Sequence, residues 1–236
     1  MQVCRITAPG MFITAPANNA GMVVALARPA SVSWNCVVGI AIRAPATPST
    51  TTTTTAAAKT VSAAPAANKA LATLDTLKVK GRAPKTGYDR ALFGQAWTDD
   101  VNVDSGHNGC DTRNDILRRD LTGIAVKPGT HGCNVSSGAL ESPYTGETID
   151  FVAGQATSSQ VQIDHVVALS DAWQKGAQQL DAARRTELAN DPLNLLAVDG
   201  PSNNTKSDAD AATWLPPRTG ERCEYVATQI AVKQRY

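Results

Sequence analysis

The sequence predicts an α+β fold that follows a long N-terminal segment of different composition. Three stretches carry the prediction. Residues 111–121, DTRNDILRRDL, have the apolar spacing of an amphipathic helix. Residues 138–152, GALESPYTGETIDFV, indicate two short strands joined by a Pro-Tyr-Thr-Gly turn, and residues 161–215 contain both strand-like and helical stretches. The chain therefore mixes helices with short strands, as α+β domains do.

The N-terminal residues 1–43 are predicted to be a signal or targeting segment. The apolar run at 32–42, VSWNCVVGIAI, follows Arg28 and precedes small residues, which is the layout of a secretory signal. It lies far from Met1, a difficulty that translation from Met22 would remove. The run is too short to cross a bilayer comfortably, so no membrane span is expected in the mature protein. Export to the medium or the cell surface is therefore expected.

Residues 44–84 are predicted to be a disordered linker. They are rich in Ala, Thr, Pro and Ser and include six consecutive threonines from Thr50 to Thr55, so they have little to bury. A short helix at 70–79 would lead into the domain. Asp75 is the first acidic residue of the chain, although five of its 22 Lys and Arg residues precede it. The folded domain is expected at 85–236.

The elements of that domain can be placed in order. Asp111 is the predicted N-cap of the first helix, with Ile116, Leu117 and Leu121 facing inward. After the hairpin, the predicted elements are a strand at 161–169, helices at 170–180 and 181–189, a strand at 193–198, and helices at 203–215 and 222–234. The helix at 181–189 is expected to stop at Asn190-Asp191-Pro192, because the residue before proline resists the helical conformation.

The five cysteines include no Cys-x-x-Cys pair, which argues against a structural zinc site. Cys110 and Cys133 lie in loop-like sequence beside Asn-Gly and His-Gly dipeptides. In an exported protein these two would suit a disulfide, while buried reduced thiols remain the alternative.

Residues 161–215 hold an unusual set of polar residues. Asp164 and His165 stand side by side in an apolar strand, Asn194 opens the second strand, and Asn203 and Lys206 open the helix behind it. The segments DHVVALSDAW and DPLNLLAVDGPSNNTKSDADAATWLPP resemble the HNH nuclease motif of the GmrSD-type restriction endonuclease C-terminal family. GYDRALFGQAW and NGCDTRNDILRRDL resemble the branch of that family found in exported actinobacterial proteins, which implies bacterial export. The resemblance covers residues 86–236 and implies that the family extends somewhat beyond the equivalent of Tyr236.

The resemblance implies a ββα-metal (HNH) core and a role for each residue. His165 is the general base, Asp164 and Asn203 are the metal ligands, and Asn194 is assigned to the catalytic set because it braces the loop that carries the histidine. Asn204 is the alternative ligand to Asn203. Lys206 and Arg113 are candidate phosphate contacts. Adjacent strand residues point to opposite faces, so the motif needs a kink at the strand end for both Asp164 and His165 to line a cleft.

The predicted function is a metal-dependent endonuclease with low sequence specificity, acting on DNA first and RNA second. Oxygen ligands favour one Mg²⁺ or Mn²⁺ ion over Zn²⁺, and the resemblance implies cleavage at the P–O3′ bond. The net charge of +1 neither supports nor excludes nucleic acid, since a bound cation can supply local charge. Nothing indicates a stable protein partner. The alternative is a non-enzymatic secreted or cell-surface module with a degenerate nuclease fold, in which Asp164 and His165 form only a structural pair.

Overall fold

The computed structural model describes residues 2–5, 35–38, 63–154 and 158–236, with side chains from Lys69 onward within these ranges. Helices and sheets are mixed, as the predicted α+β class requires. The strands are β1 (Gln2–Arg5), β2 (Asn35–Val38), β3 (Thr122–Val126), β4 (Val135–Glu141), β5 (Thr148–Val152), β6 (Val161–His165) and β7 (Leu195–Asp199). The helices are α1 (Ala63–Leu74), α2 (Thr112–Asp120), α3 (Leu169–Lys175), α4 (Ala182–Asn190), α5 (Gly200–Lys206) and α6 (Arg222–Arg235). None of the described helices is long and apolar enough to span a bilayer.

Most of the predicted signal segment, and residues 44–62 of the predicted linker, lie outside the described residues. Within them, β1 pairs antiparallel with β2, which falls inside the apolar run at 32–42. Helix α1 occupies residues of the predicted linker and begins and ends earlier than the short helix expected at 70–79. Arg82 forms an ion pair of 3.1 Å with the buried Asp171, so contacts with the domain begin before Lys85. The boundary at Lys85 stays a prediction.

Helix α2 packs between two sheets and builds the main core. Asp111 caps it, since its carboxylate accepts a hydrogen bond of 2.9 Å from the Asn114 N–H, as predicted. Ile116 and Leu117 are buried on its inner face, against Leu140 of β4 and Leu195 of β7. The elements on either side of α2 are thereby held in one hydrophobic cluster.

The predicted hairpin is present as β4 and β5, with Glu141 opposite Thr148. Gly146 adopts a φ of 80°, which glycine accommodates without steric cost, and closes the turn by donating to the Ser142 carbonyl. The sheet contains a third strand, β3, that the sequence analysis did not predict. All five residues of β3 are exposed, so it lacks the alternation of buried and exposed side chains by which a strand is recognised.

Strands β6 and β7 form an antiparallel pair with His165 opposite Leu195, and α5 follows β7 and packs against both. The predicted strand at 161–169 is too long, because β6 ends at His165. The predicted helix at 203–215 is wrong at both ends. Asp199 starts α5 early by accepting from the Ser202 N–H at 2.7 Å, and Ser207, at a φ of 51°, ends it.

The predicted disulfide between Cys110 and Cys133 is confirmed, with an S–S distance of 1.99 Å and a Cα–Cα distance of 5.2 Å. It ties the residue before the cap of α2 to the loop that leads into β4. Cys223, for which the sequence indicates no partner, is disulfide-bonded as well.

Replacing both Cys110 and Cys133 by serine should lower the free energy of unfolding by about 3 kcal/mol. The bond closes a loop across a sequence separation of 23 residues, and its loss frees the unfolded chain. Urea denaturation of the oxidised wild type and of the double variant measures the difference. An unchanged midpoint would show that the bond contributes nothing to stability.

Candidate active site

A cavity of about 680 Å³ opens along β6 and the first turns of α5. Its wall carries basic, acidic, amide and aromatic side chains. Those used below are Lys85, Arg90, Trp97, Arg113, Gln162, Asp164, His165, Asn203, Asn204 and Asp208. The two faces of β6 supply different groups to it, because successive strand residues alternate in direction. Val161 and Ile163 belong to the core packed on α2, while Gln162 and Asp164 contact α5.

His165 ends β6 with its imidazole ring fixed on two sides. Its Nε2 lies 2.9 Å from the Ala189 carbonyl oxygen, and its ring stacks on Trp97 with centroids 5.9 Å apart. A carbonyl can only accept, so Nε2 carries the proton and Nδ1 carries the lone pair. Burial lowers the pKa of His165 to about 3, so the ring is neutral at pH 7. Nδ1 is therefore the atom at which this ring can accept a proton.

Asp164 is held from two sides. Its Oδ1 accepts from the Lys206 ammonium at 2.9 Å, and its Oδ2 accepts from the Tyr144 hydroxyl at 2.6 Å. Burial raises the pKa of Asp164, and the Lys206 charge opposes that rise. Lys206 is fully buried and donates a second bond of 2.9 Å to the His165 carbonyl oxygen. The interior therefore contains a charged pair that fixes the backbone at the end of β6.

Lys206 was expected at a backbone phosphate, and that expectation must be corrected. Its ammonium is enclosed by Asp164 and His165, where it has no access to a phosphate. An ammonium bound to a buried carboxylate also stays there, because separating the two would leave both charges uncompensated in the interior. Lys206 is a structural residue of the site.

Asn194 supports the loop that follows His165 but does not face a substrate. Its amide oxygen accepts from the Val167 N–H at 2.8 Å, and its amide nitrogen donates to the Val167 and Leu188 carbonyls at 3.3 and 3.2 Å. It is fully buried. These bonds brace the loop directly after His165, which makes Asn194 a positioning residue rather than a catalytic one.

Asn203 and Gln162 form an amide pair on the same face of β6 as Asp164. The Asn203 Nδ2 donates to the Gln162 Oε1 at 2.7 Å. That bond orients the amide, and the Asn203 Oδ1 has no hydrogen-bond partner among the described residues. Asn204 is exposed and also lines the cavity.

The groups on this face that could hold a hard cation are the Asp164 carboxylate and the Asn203 amide oxygen. The described residues include no group of three or more His, Cys, Asp or Glu side chains arranged to cage a metal. Each oxygen of Asp164 accepts one bond and retains another lone pair, and the Asn203 Oδ1 is available. Two protein oxygens suit Mg²⁺, which binds through one or two protein ligands and several waters. The Lys206 ammonium beside Asp164 weakens such a site without filling it.

Two arginines complete the wall. Arg113, a predicted phosphate contact, is half-buried and donates to the Val161 carbonyl oxygen at 3.2 Å. Arg90 is exposed, and its charge further lowers the pKa of His165. Neither Arg90 nor Trp97 was predicted from the sequence to be a site residue. Both lie in GYDRALFGQAW, so that segment contained the signal although no spacing rule relates it to His165.

Comparison with known proteins gives two matches. Residues 111–236 match the family described as GmrSD restriction endonucleases, C-terminal domain. An uncharacterized secreted protein of the fungus Arthroderma benhamiae is 37% identical over 174 residues, which cover 73% of this chain and 78% of that protein. No solved structure matches. The relative is fungal, so it gives no support to the actinobacterial branch or to bacterial export.

The free energy of unfolding should fall by about 2 kcal/mol between pH 7 and pH 5 because of His165. Its pKa is about 3 in the folded protein and about 6.5 in the unfolded chain, so the unfolded state binds more protons in this range. The contribution is complete above pH 6.5 and is lost as the pH falls toward 3. Urea denaturation in EDTA at several pH values measures it.

His165→Gln is the control for this pH dependence, because glutamine does not titrate and can still donate to the Ala189 carbonyl. The variant should flatten the curve between pH 7 and pH 5. Equal slopes for variant and wild type would contradict the burial of a neutral imidazole at this position.

Proposed function

We propose that this chain, which belongs to the family of GmrSD restriction endonuclease C-terminal domains, is an HNH-type endonuclease that hydrolyses phosphodiester bonds of DNA, with RNA as the second substrate. One observation carries the proposal. The His165 ring is neutral, its Nε2 is bound to the Ala189 carbonyl, and the residue lines a cavity whose wall also holds two arginines. That is the arrangement of a general base beside a site for an anion.

The order of elements supports the ββα type. Antiparallel β6 and β7 are followed directly by α5, which packs on both strands. Asp164 and His165 end the first strand, and Asn203 lies in the helix, as the HNH motif requires. The inserted α3 and α4 return the chain to Ala189, whose carbonyl fixes the His165 ring.

The chemistry assigned to the protein side chains is a proton transfer. A water oxygen forms the new bond to phosphorus while His165 Nδ1 takes its proton, the P–O3′ bond breaks, and O3′ takes a proton from solvent. The Ala189 carbonyl stabilises the imidazolium that results. A bound phosphate raises the proton affinity of the ring, since an anion favours its charged form. Trp97 keeps the ring plane fixed during the transfer.

Asp164 and Asn203 would hold one Mg²⁺ or Mn²⁺ ion, which when bound neutralises charge on the phosphoryl oxygens. Lys206 and Tyr144 fix the Asp164 carboxylate, and Gln162 turns the Asn203 oxygen away from itself.

Secretion or display at the cell surface is the proposed location. The Cys110–Cys133 disulfide suits an oxidising compartment, and the fungal relative is named as a secreted protein.

His165→Ala should reduce nicking of plasmid DNA in Mg²⁺ by about 10²–10⁴-fold, the usual cost of losing a general base. The matched control is His131→Asn, since His131 is exposed and asparagine tolerates its positive φ of 53°. The control should cut at the wild-type rate. Cleavage by His165→Ala at a near wild-type rate would sink the mechanism.

Asn203→Ala should raise the Mn²⁺ concentration needed for half-maximal cleavage by at least about 10-fold. Asp164→Ala is a poorer test, because it leaves the buried Lys206 ammonium without its partner and should cost about 3–5 kcal/mol of stability. Asn204→Ala is the matched control and should behave as wild type. If Asn204→Ala shows the larger shift, the ligand assignment is wrong and passes to Asn204.

A further inference from the structure

Four basic side chains stand at or below the cleft, and two of them are paired with carboxylates, Lys85 at the surface and Lys206 in the interior. Lys85 lies 2.9 Å from Asp208, and Lys206 lies 2.9 Å from Asp164. Arg90 and Arg113 form no ion pair with a carboxylate of the described residues. The charge that the cleft offers to an anion therefore comes from these two guanidinium groups.

The two arginines lie at opposite ends of β6. Arg113 is bound to the carbonyl of Val161, the first residue of the strand. Arg90 lies at the other end, where it lines a smaller cavity together with His165, Trp97 and Ala189. Four residue steps along a strand cover about 13 Å. A phosphate group at one end of β6 therefore lies about 13 Å from a phosphate group at the other end.

We propose that Arg90 and Arg113 form two separate phosphate subsites. The substrate is then a polynucleotide held through two of its phosphates, one near each end of β6. This inference rests on the proposed nuclease function. Arg90 binds the scissile phosphate, at which His165 acts as the base, and Arg113 binds another phosphate near the other end of β6. In a duplex, where each strand carries one phosphate per about 3.4 Å of axis, about 13 Å corresponds to roughly four steps.

The environment of each arginine suits its subsite. The guanidinium has five N–H donors in one plane, so Arg113 can use one for the Val161 carbonyl and still bind a phosphate oxygen with others. Its half-buried position keeps water away, which strengthens a charge-assisted hydrogen bond. Arg90 is exposed beside the uncharged His165 and meets no competing carboxylate there.

Two separate subsites predict that loss of an arginine affects long and short substrates differently. A diester without neighbouring phosphates, such as bis(p-nitrophenyl) phosphate, can occupy the end at Arg90 and His165 but cannot reach Arg113. Loss of Arg113 should therefore affect an oligonucleotide far more than the small diester, whereas loss of Arg90 should affect both. A merely structural role for Arg113 would reduce the two activities equally.

The experiment compares wild type with Arg90→Gln, Arg113→Gln, Arg113→Lys and the control Arg118→Gln, which lies on the outer face of the same helix. For Arg113→Gln, kcat/KM for a 20-base-pair duplex should fall about 10-fold more than kcat/KM for bis(p-nitrophenyl) phosphate. Arg113→Lys should recover part of that loss because it keeps the charge. Arg118→Gln should match wild type.

Binding of the same duplex tests the subsites without cleavage. In a His165→Ala background with EDTA, each arginine variant should reduce the slope of log Kd against log salt by about 0.9, and the double variant by about twice that. Unchanged slopes, or equal losses for both substrates, would overturn the two subsites. If the slopes fall as expected but no His165-dependent cleavage is found, the nuclease function is overturned and the two phosphate subsites stand.

Discussion

The contact on which the site depends is the buried ammonium of Lys206. It binds the Asp164 carboxylate and the His165 carbonyl oxygen, so one side chain from α5 holds two consecutive residues at the end of β6. An isolated charge in the interior would cost several kcal/mol, and the pair is tolerated because Tyr144 supplies a further hydrogen bond to the carboxylate. Helix α5 and strand β6 are therefore fixed in one register, in which Asn203 is bonded to Gln162 and Lys206 is bonded to Asp164.

That register divides the polar residues between support and chemistry. Strand alternation sends Asp164 toward α5 and leaves His165 on the side of Trp97 and Ala189. Asn194 then fixes the loop that follows, through the backbone of Val167. Lys206 and Asn194 thus keep the backbone on either side of the imidazole in place, and neither of them reaches the cleft surface.

The sequence was sufficient where local rules decide the structure. The capped helix α2, the β4–β5 hairpin and the disulfide follow from a cap residue, a turn and two loop cysteines. It was insufficient where burial of a polar group decides. Nothing in the sequence shows that Lys206 is enclosed by the carboxylate of Asp164, which lies on β6, 42 residues earlier in the chain. Arg90 could not be related to His165, because their proximity comes from a tertiary contact between distant segments.

The Cys110–Cys133 disulfide connects the redox conditions around the protein with its proposed substrate site. Cys110 immediately precedes the cap of α2, and Arg113 follows in the first turn of that helix. The bond to Cys133 fixes the start of α2 against the loop before β4, and the Asn114 side chain adds a bond of 2.9 Å to the Val135 N–H at the same place. Since the end of a helix frays most easily, these two ties hold the turn that carries Arg113 against Val161. An oxidising environment thereby stabilises the part of the cleft that lies farthest along β6 from the proposed base.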